Sequence, residues 1–227
     1  MVVSKKRMSS RMVSKQQQLR WLQEGRGQGQ LDTYKPFLNV RDNKSLTERS
    51  SRVYGYKTQR THHLFSDLEL ALFLALDRIQ DIEDIREQIP LDLETTVQIA
   101  EDLKIPHPIE QNVHQIITST FFIVNHSPLK PPCFVVKALK STHLELKRTI
   151  AQLELERRYW EQKNIPWFLF TEKDISPTAI DNIKWLYPLN KVNTDIYTFS
   201  KIDFYQTYFI QKPELTLIEL SKYLDTH

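Results

Sequence analysis

Long polar stretches alternate along this chain with short, dense apolar runs, and the runs carry two different periods. Residues 1–13 are polar and basic with little periodicity, which predicts a disordered basic tail. From Ser14 to Glu24 the run Lys-Gln-Gln-Gln-Leu-Arg-Trp-Leu-Gln predicts a short helix, closed by Gly25-Arg-Gly-Gln-Gly29. All but one of the glycines in the chain fall in those five positions, so the backbone there must turn tightly or approach a neighbour closely. No strand precedes them, which sets aside a dinucleotide-binding loop. A segment rich in Asp, Asn, Ser and Arg then reads as irregular as far as Arg60. Ser66 has the character of a helix N-cap with Glu69 as its capping-box partner, and apolar residues continue from there to Leu76.

Beyond that helix, Ile82–Ile89 alternates as a half-buried strand before Pro90, and Leu93–Leu103 has helical spacing. Ile116–Val124 and Cys133–Lys137 are β-branched and aromatic, too apolar for a sheet edge, and predict two neighbouring central strands. Helical spacing returns from Thr142 to Lys163, followed by a buried strand at Pro166–Thr171. This β-β-α-β order predicts an α/β fold with a mixed sheet flanked by helices. From Asp174 the character changes: a helix through Asp181–Tyr187, a polar stretch, and a closing amphipathic segment at Leu215–Leu224. The expected division is a domain over 14–173 and a short helical C-terminal region over 174–227, which resembles the start of a winged helix and looks truncated.

Composition narrows the class. The chain has 227 residues, of which 40% are hydrophobic and 26% charged, and no apolar run approaches the roughly 20 residues of a bilayer span. The basic start is followed by polar residues and not by an apolar segment, so no secretory signal is read and a cytoplasmic protein is expected. The lone Cys133 allows no internal disulfide and no cysteine-rich zinc site. Net charge is +3, yet residues 1–63 alone sum to +10 and the remainder to −7. A basic arm of this kind matches the phosphate backbone of a nucleic acid.

Two polar positions stand out against the apolar core: Glu69 inside its helix and Lys137 at the end of its strand. Sheet-based metal nucleases hold a divalent cation with a Glu and an Asp, and a nearby Lys positions the attacking water and offsets charge on the phosphate. The strand between these two positions has no acid. The flanking words are more specific: Glu24-Gly-Arg-Gly-Gln-Gly29, Tyr56-Lys-Thr58, Arg60-Thr-His-His-Leu-Phe-Ser-Asp-Leu-Glu-Leu-Ala71, Asp84-Ile-Arg-Glu-Gln88, Leu155-Glu-Arg-Arg-Tyr-Trp160 and Ile165-Pro-Trp-Phe168. Over about residues 18 to 190 the chain resembles TnsA, the endonuclease subunit of heteromeric bacterial transposases.

The resemblance implies a restriction-endonuclease-like fold in a bacterial cytoplasmic protein working on nucleoid DNA. It also implies magnesium or manganese as cofactor, and transposon-end DNA, a TnsB-type transposase and a TnsC-type AAA+ regulator as partners. The family's metal-binding glutamate falls on Glu69 and its catalytic lysine on Lys137. Its aspartate falls on Thr120 and its glutamine on Val135, so two of the matched site positions cannot supply the expected chemistry. Asp67 projects to another helical face than Glu69, whereas Glu154 and Glu156, on the helix after Lys137, are the acids able to move into the vacated place. Arg26, Lys57, Arg60, His62 and His63 are the expected DNA contacts. Three functions follow: a subunit that binds DNA and partners with impaired 5′-strand cleavage, an active endonuclease with a rearranged or substituted metal site, or a non-catalytic DNA-binding adaptor.

Overall fold

The computed structural model describes residues 13–42, 49–187 and a few positions between 215 and 222. The basic tail up to residue 12, the polar stretch after Tyr187 and most of the closing amphipathic segment lie outside the described residues, and with them the winged-helix reading. By internal contacts the chain forms two units, Met1–Thr171 and Glu172–His227.

The first unit opens with α1 (Lys15–Gln23), where the Ser14 side chain caps the helix by accepting from the Gln17 N–H. After it, Gly27 takes φ +81°, and an added Cβ there would lie 2.3 Å from the ring of Pro90. At Gly29, φ +92°, a Cβ would meet the Thr33 carbonyl. The glycine cluster thus lets this loop lie directly on the end of a core strand.

The segment expected to be irregular up to Arg60 instead forms an antiparallel hairpin, β1 (Ser51–Gly55) with β2 (Arg60–Leu64). Arg60, His62 and Leu64 point inward on β2, so two of its three buried residues are polar and the apolar alternation that marks a strand is missing. Next comes α2 (Asp67–Leu76), whose N-cap Ser66 accepts from the Glu69 N–H. β3 (Ile82–Pro90) and α3 (Leu93–Leu103) follow, then a small hairpin, β4 (Ile109–Glu110) with β5 (Val113–His114).

β6 (Thr118–Asn125) and β7 (Cys133–Ala138) are the inner strands of the main sheet, as their apolar sequence predicts. A short 3₁₀ turn at Ser141–Glu145 precedes α4 (Lys147–Gln162), which leads to β8 (Trp167–Phe170). Strand order is β3-β6-β7-β8, antiparallel except for the parallel β7–β8 pair that α4 connects. Successive residues of β6 show the layering. Phe121 stacks at 6.4 Å on Phe73 of α2, while Phe122 meets Trp160 of α4 at 5.7 Å. Neighbouring residues of a strand face opposite sides, so α2 and α4 cover the two faces of the sheet. Leu91, Ile99, Val135, Leu155, Tyr159 and Trp160 form the core on the α3–α4 side.

The second unit contributes α5 (Pro177–Leu186), capped by Ser176 with Pro177 at its first position. None of the described helices is long and apolar enough to cross a membrane.

Candidate active site

Lys137 owes its position to β7. Two residues earlier on the same side of the strand, Val135 is fully buried against Leu155 and Trp160 of α4. That packing aims Lys137 toward α4 as the strand leaves the core. Its Nζ donates to the Thr118 carbonyl at 2.8 Å and pairs with Glu156 Oε2 at 3.1 Å. Glu156 is only 1% exposed, and its other oxygen accepts from the Trp167 indole N–H at 3.1 Å. A carboxylate this deep is tolerable because each oxygen has a donor and its charge has a partner. Lys137 and Glu156 line a cleft of about 360 Å³, together with Thr118 and with Arg148 and Gln152 of α4.

Of the two acids on α4 singled out in the sequence, Glu156 therefore reaches Lys137. Glu154 turns away to Arg157 and Arg158, and the hydrogen bonds from Arg157 hold its carboxyl at about 2 despite partial burial.

Thr120, on which the resemblance places the family's aspartate, is 2% exposed. Its hydroxyl oxygen accepts from the Ala138 N–H of the neighbouring strand at 3.1 Å. The oxygen at this position is thus neutral and committed to holding β6 against β7. Val135, on which the resemblance places the family's glutamine, presents only hydrocarbon to the core.

Glu69 stands at the start of α2, the helix on the Phe121 face of the sheet. Its Oε2 accepts from the Phe65 N–H at 2.7 Å and its own N–H donates to Ser66 Oγ, so bonds to two successive residues tie down the helix start. A divalent cation held by two acids needs carboxylates converging on one point. Thr120 and Val135 bring no charge, Glu156 is balanced by Lys137, and among the described residues no three His, Cys, Asp or Glu side chains converge. The residues present do not build the two-acid magnesium or manganese site that the resemblance implies.

The expected DNA contacts separate into inner and outer residues. Arg60 is 8% exposed, and its guanidinium grips the fully buried Glu87 carboxylate at 2.9 and 2.6 Å. His62, also fully buried, sits between Glu87 Oε2 at 2.8 Å and the Thr58 hydroxyl at 2.6 Å. Burial pushes the Glu87 carboxyl up, but the charge and hydrogen bonds of His62 and Arg60 outweigh it and hold the group well below the usual range. The backbone N–H of His63 also donates to Glu87, while the half-buried His63 ring accepts from the Val40 N–H; burial lowers its pKa. Arg26 lies over the Trp21 ring and donates to the Phe37 carbonyl and to Asp42. Arg60 and His62 therefore serve the interior, where the sequence reading placed them at a phosphate. Lys57 is half-buried at the tip of the β1–β2 hairpin.

Glu87 is the residue that sequence reasoning passed over. In an alternating strand a glutamate reads as solvent-facing, and the signal for its burial lies in Arg60 and His62, 27 and 25 residues away.

Comparison with known proteins agrees with the words in the sequence. Residues 80–172 match the family described as TnsA-like endonuclease N terminal. The chain is also 40% identical over 207 residues to the transposon Tn7 transposition protein TnsA of Escherichia coli, covering 91% of this chain and 75% of that protein. A mixed sheet covered on both faces, a strand-end lysine at a cleft, and identity of this extent place the chain in the TnsA family, as an endonuclease-type subunit of DNA transposition.

Proposed function

We propose that this chain is the TnsA-type subunit of a cytoplasmic transposition complex that binds transposon-end DNA beside a TnsB-type transposase and under a TnsC-type regulator, with its own 5′-strand cleavage impaired. The observation that carries this reading is Thr120. At the acid position stands a buried hydroxyl that accepts from the Ala138 backbone, so neither the charge nor the open oxygen lone pairs of an aspartate are available there. Lys137 keeps its place: the Thr118 carbonyl and Glu156 hold its ammonium at the cleft, where it would offset charge on a bound phosphate. The subunit retains a surface for DNA and partners while the hydrolytic step is weakened. With one strand uncut, the product balance shifts toward cointegrates.

A second reading has one observation in its favour. Glu156 delivers a carboxylate to 3.1 Å from Lys137, so an acid is present at the cleft from α4 even though β6 supplies none. On this reading the chain is an active 5′-strand endonuclease with a rearranged site.

Strand-specific nicking of a labelled transposon-end duplex, with the cognate transposase and in magnesium or manganese, distinguishes the two. The first reading expects 3′-strand cleavage by the transposase with little or no 5′ product. Robust 5′ cleavage that disappears in Glu156→Gln establishes the second and overturns the first.

A further inference from the structure

α4 carries three arginines, and their pairing is uneven. Arg157 and Arg158 are each bound to both Glu154 and Glu161 on the helix's own surface. Arg148, two turns earlier, is exposed and has no hydrogen-bond or ion-pair partner among the described residues. Its position explains why that matters. Residues 148, 152 and 156 recur every fourth position, which puts them on one helical stripe, and all three line the cleft with Lys137. The first turn of α4 contains no acid. Among the described residues two acids line the cleft, Glu110 of the β4–β5 hairpin and Glu156, but Glu156 is balanced by Lys137. Arg148 is left as the cleft's cation without an acid of its own, and Gln152 beside it is a half-buried amide with no hydrogen bond made among the described residues.

Unspent donors in a cleft next to a lysine already held in place are suited to an anion with several acceptor oxygens on a regular backbone. A guanidinium grips a phosphate through two parallel N–H groups, and an amide N–H adds a neutral donor. We propose that Arg148 and Gln152 form a binding site for a DNA backbone phosphate, positioning the strand whose neighbouring phosphate faces Lys137. This rests on the DNA-binding reading above and adds the residues that set the strand's register. The basic residues legible in the sequence lie in the N-terminal part of the chain; this site sits on α4, whose arginines read as ordinary surface charge.

The test is equilibrium binding of a fluorescein-labelled duplex to the full-length chain across a salt series. It compares wild type with Arg148→Ala, Gln152→Ala and Arg158→Ala. Each neutralised phosphate contributes about 0.9 to the slope of log affinity against log salt. Arg148→Ala should lower that slope by about 0.9, so that the loss of affinity between ~50 and ~200 mM salt shrinks about 3.5-fold. Gln152→Ala should weaken binding with the slope unchanged. Arg158→Ala removes the same charge from the same helix and should match wild type. If wild type binds the duplex and Arg148→Ala keeps its slope, the site is wrong while the DNA reading stands. The site is equally wrong if Arg158→Ala lowers the slope as much. A wild-type chain that binds no duplex overturns both.

Discussion

Replacing Arg60 separates a structural arginine from a DNA-contacting one. Glu87 is fully buried and receives four donors: two from the Arg60 guanidinium, one from His62 and the His63 backbone N–H. Arg60→Ala removes half of them together with the guanidinium charge. It also strips donors from the Leu31 and Ile85 carbonyls, at 3.0 and 2.8 Å, and the cation lying 4.9 Å over the Tyr34 ring. Breaking a buried pair from one side costs about 3–5 kcal/mol, because the remaining charge is left without compensation. Set against a total stability of roughly 5–15 kcal/mol, this variant should be close to unfolding. For a unit of this size each kcal/mol moves the midpoint by about 2–4 °C, so a fall on the order of 10 °C is expected. Urea titration followed by tryptophan fluorescence, alongside a thermal scan, measures it. Adding Glu87→Gln should restore part of the loss, since the stranded charge then disappears. The contribution is in place above the ordinary carboxylate pKa near ~4.3 and is lost only as pH falls from there toward the depressed folded-state value. A structural role for Arg60 is refuted if Arg60→Ala costs under about 1 kcal/mol, or if it flattens the DNA salt slope with stability intact.

Three further outcomes are expected. Thr120→Asp combined with Val135→Gln restores the family's residues at a buried strand pair; manganese should raise the thermal midpoint of this variant and not of the wild type, with 5′ nicking gained, and no metal response in either readout refutes the assignment. Gly27→Ala forces a side chain onto Pro90 at a φ of +81° and should cost about 1–3 kcal/mol by urea titration; a neutral result would mean the loop lifts off β3 freely. Burial lowers the His107 pKa, so the unfolded chain takes up a proton first; stability should fall as pH drops below ~6.5, and the fall should shrink in His107→Gln, with an unchanged profile counting against it.

What was legible in the chain was local or strongly apolar. The helix from Ser14 and the Ser66 cap on α2, which accepts from the Glu69 N–H three residues on, are local, so spacing alone reveals them. β6 and β7 read as central strands because hydrophobic side chains fill both faces, and the inner sheet is where they lie. The family words were equally legible, and with them the matched positions Glu69, Thr120, Val135 and Lys137.

Partnerships across the fold were not. β2 escaped notice because the side chains it buries are Arg60 and His62, made tolerable only by a glutamate on another strand. The direction of the Thr120 hydroxyl depends on which N–H of β7 lies opposite, and the choice of Glu156 over Glu154 for Lys137 depends on how α4 is rotated on the sheet. A linear pattern reports which residues prefer burial; it carries no record of which charge a buried group will meet, because that is settled by elements far apart in the chain once they pack. In this protein ancestry and the missing acid could be read from the order of residues, while the pairing of the strand-end lysine with an acid from α4 and the bond that holds the Thr120 hydroxyl to β7 were decided by packing.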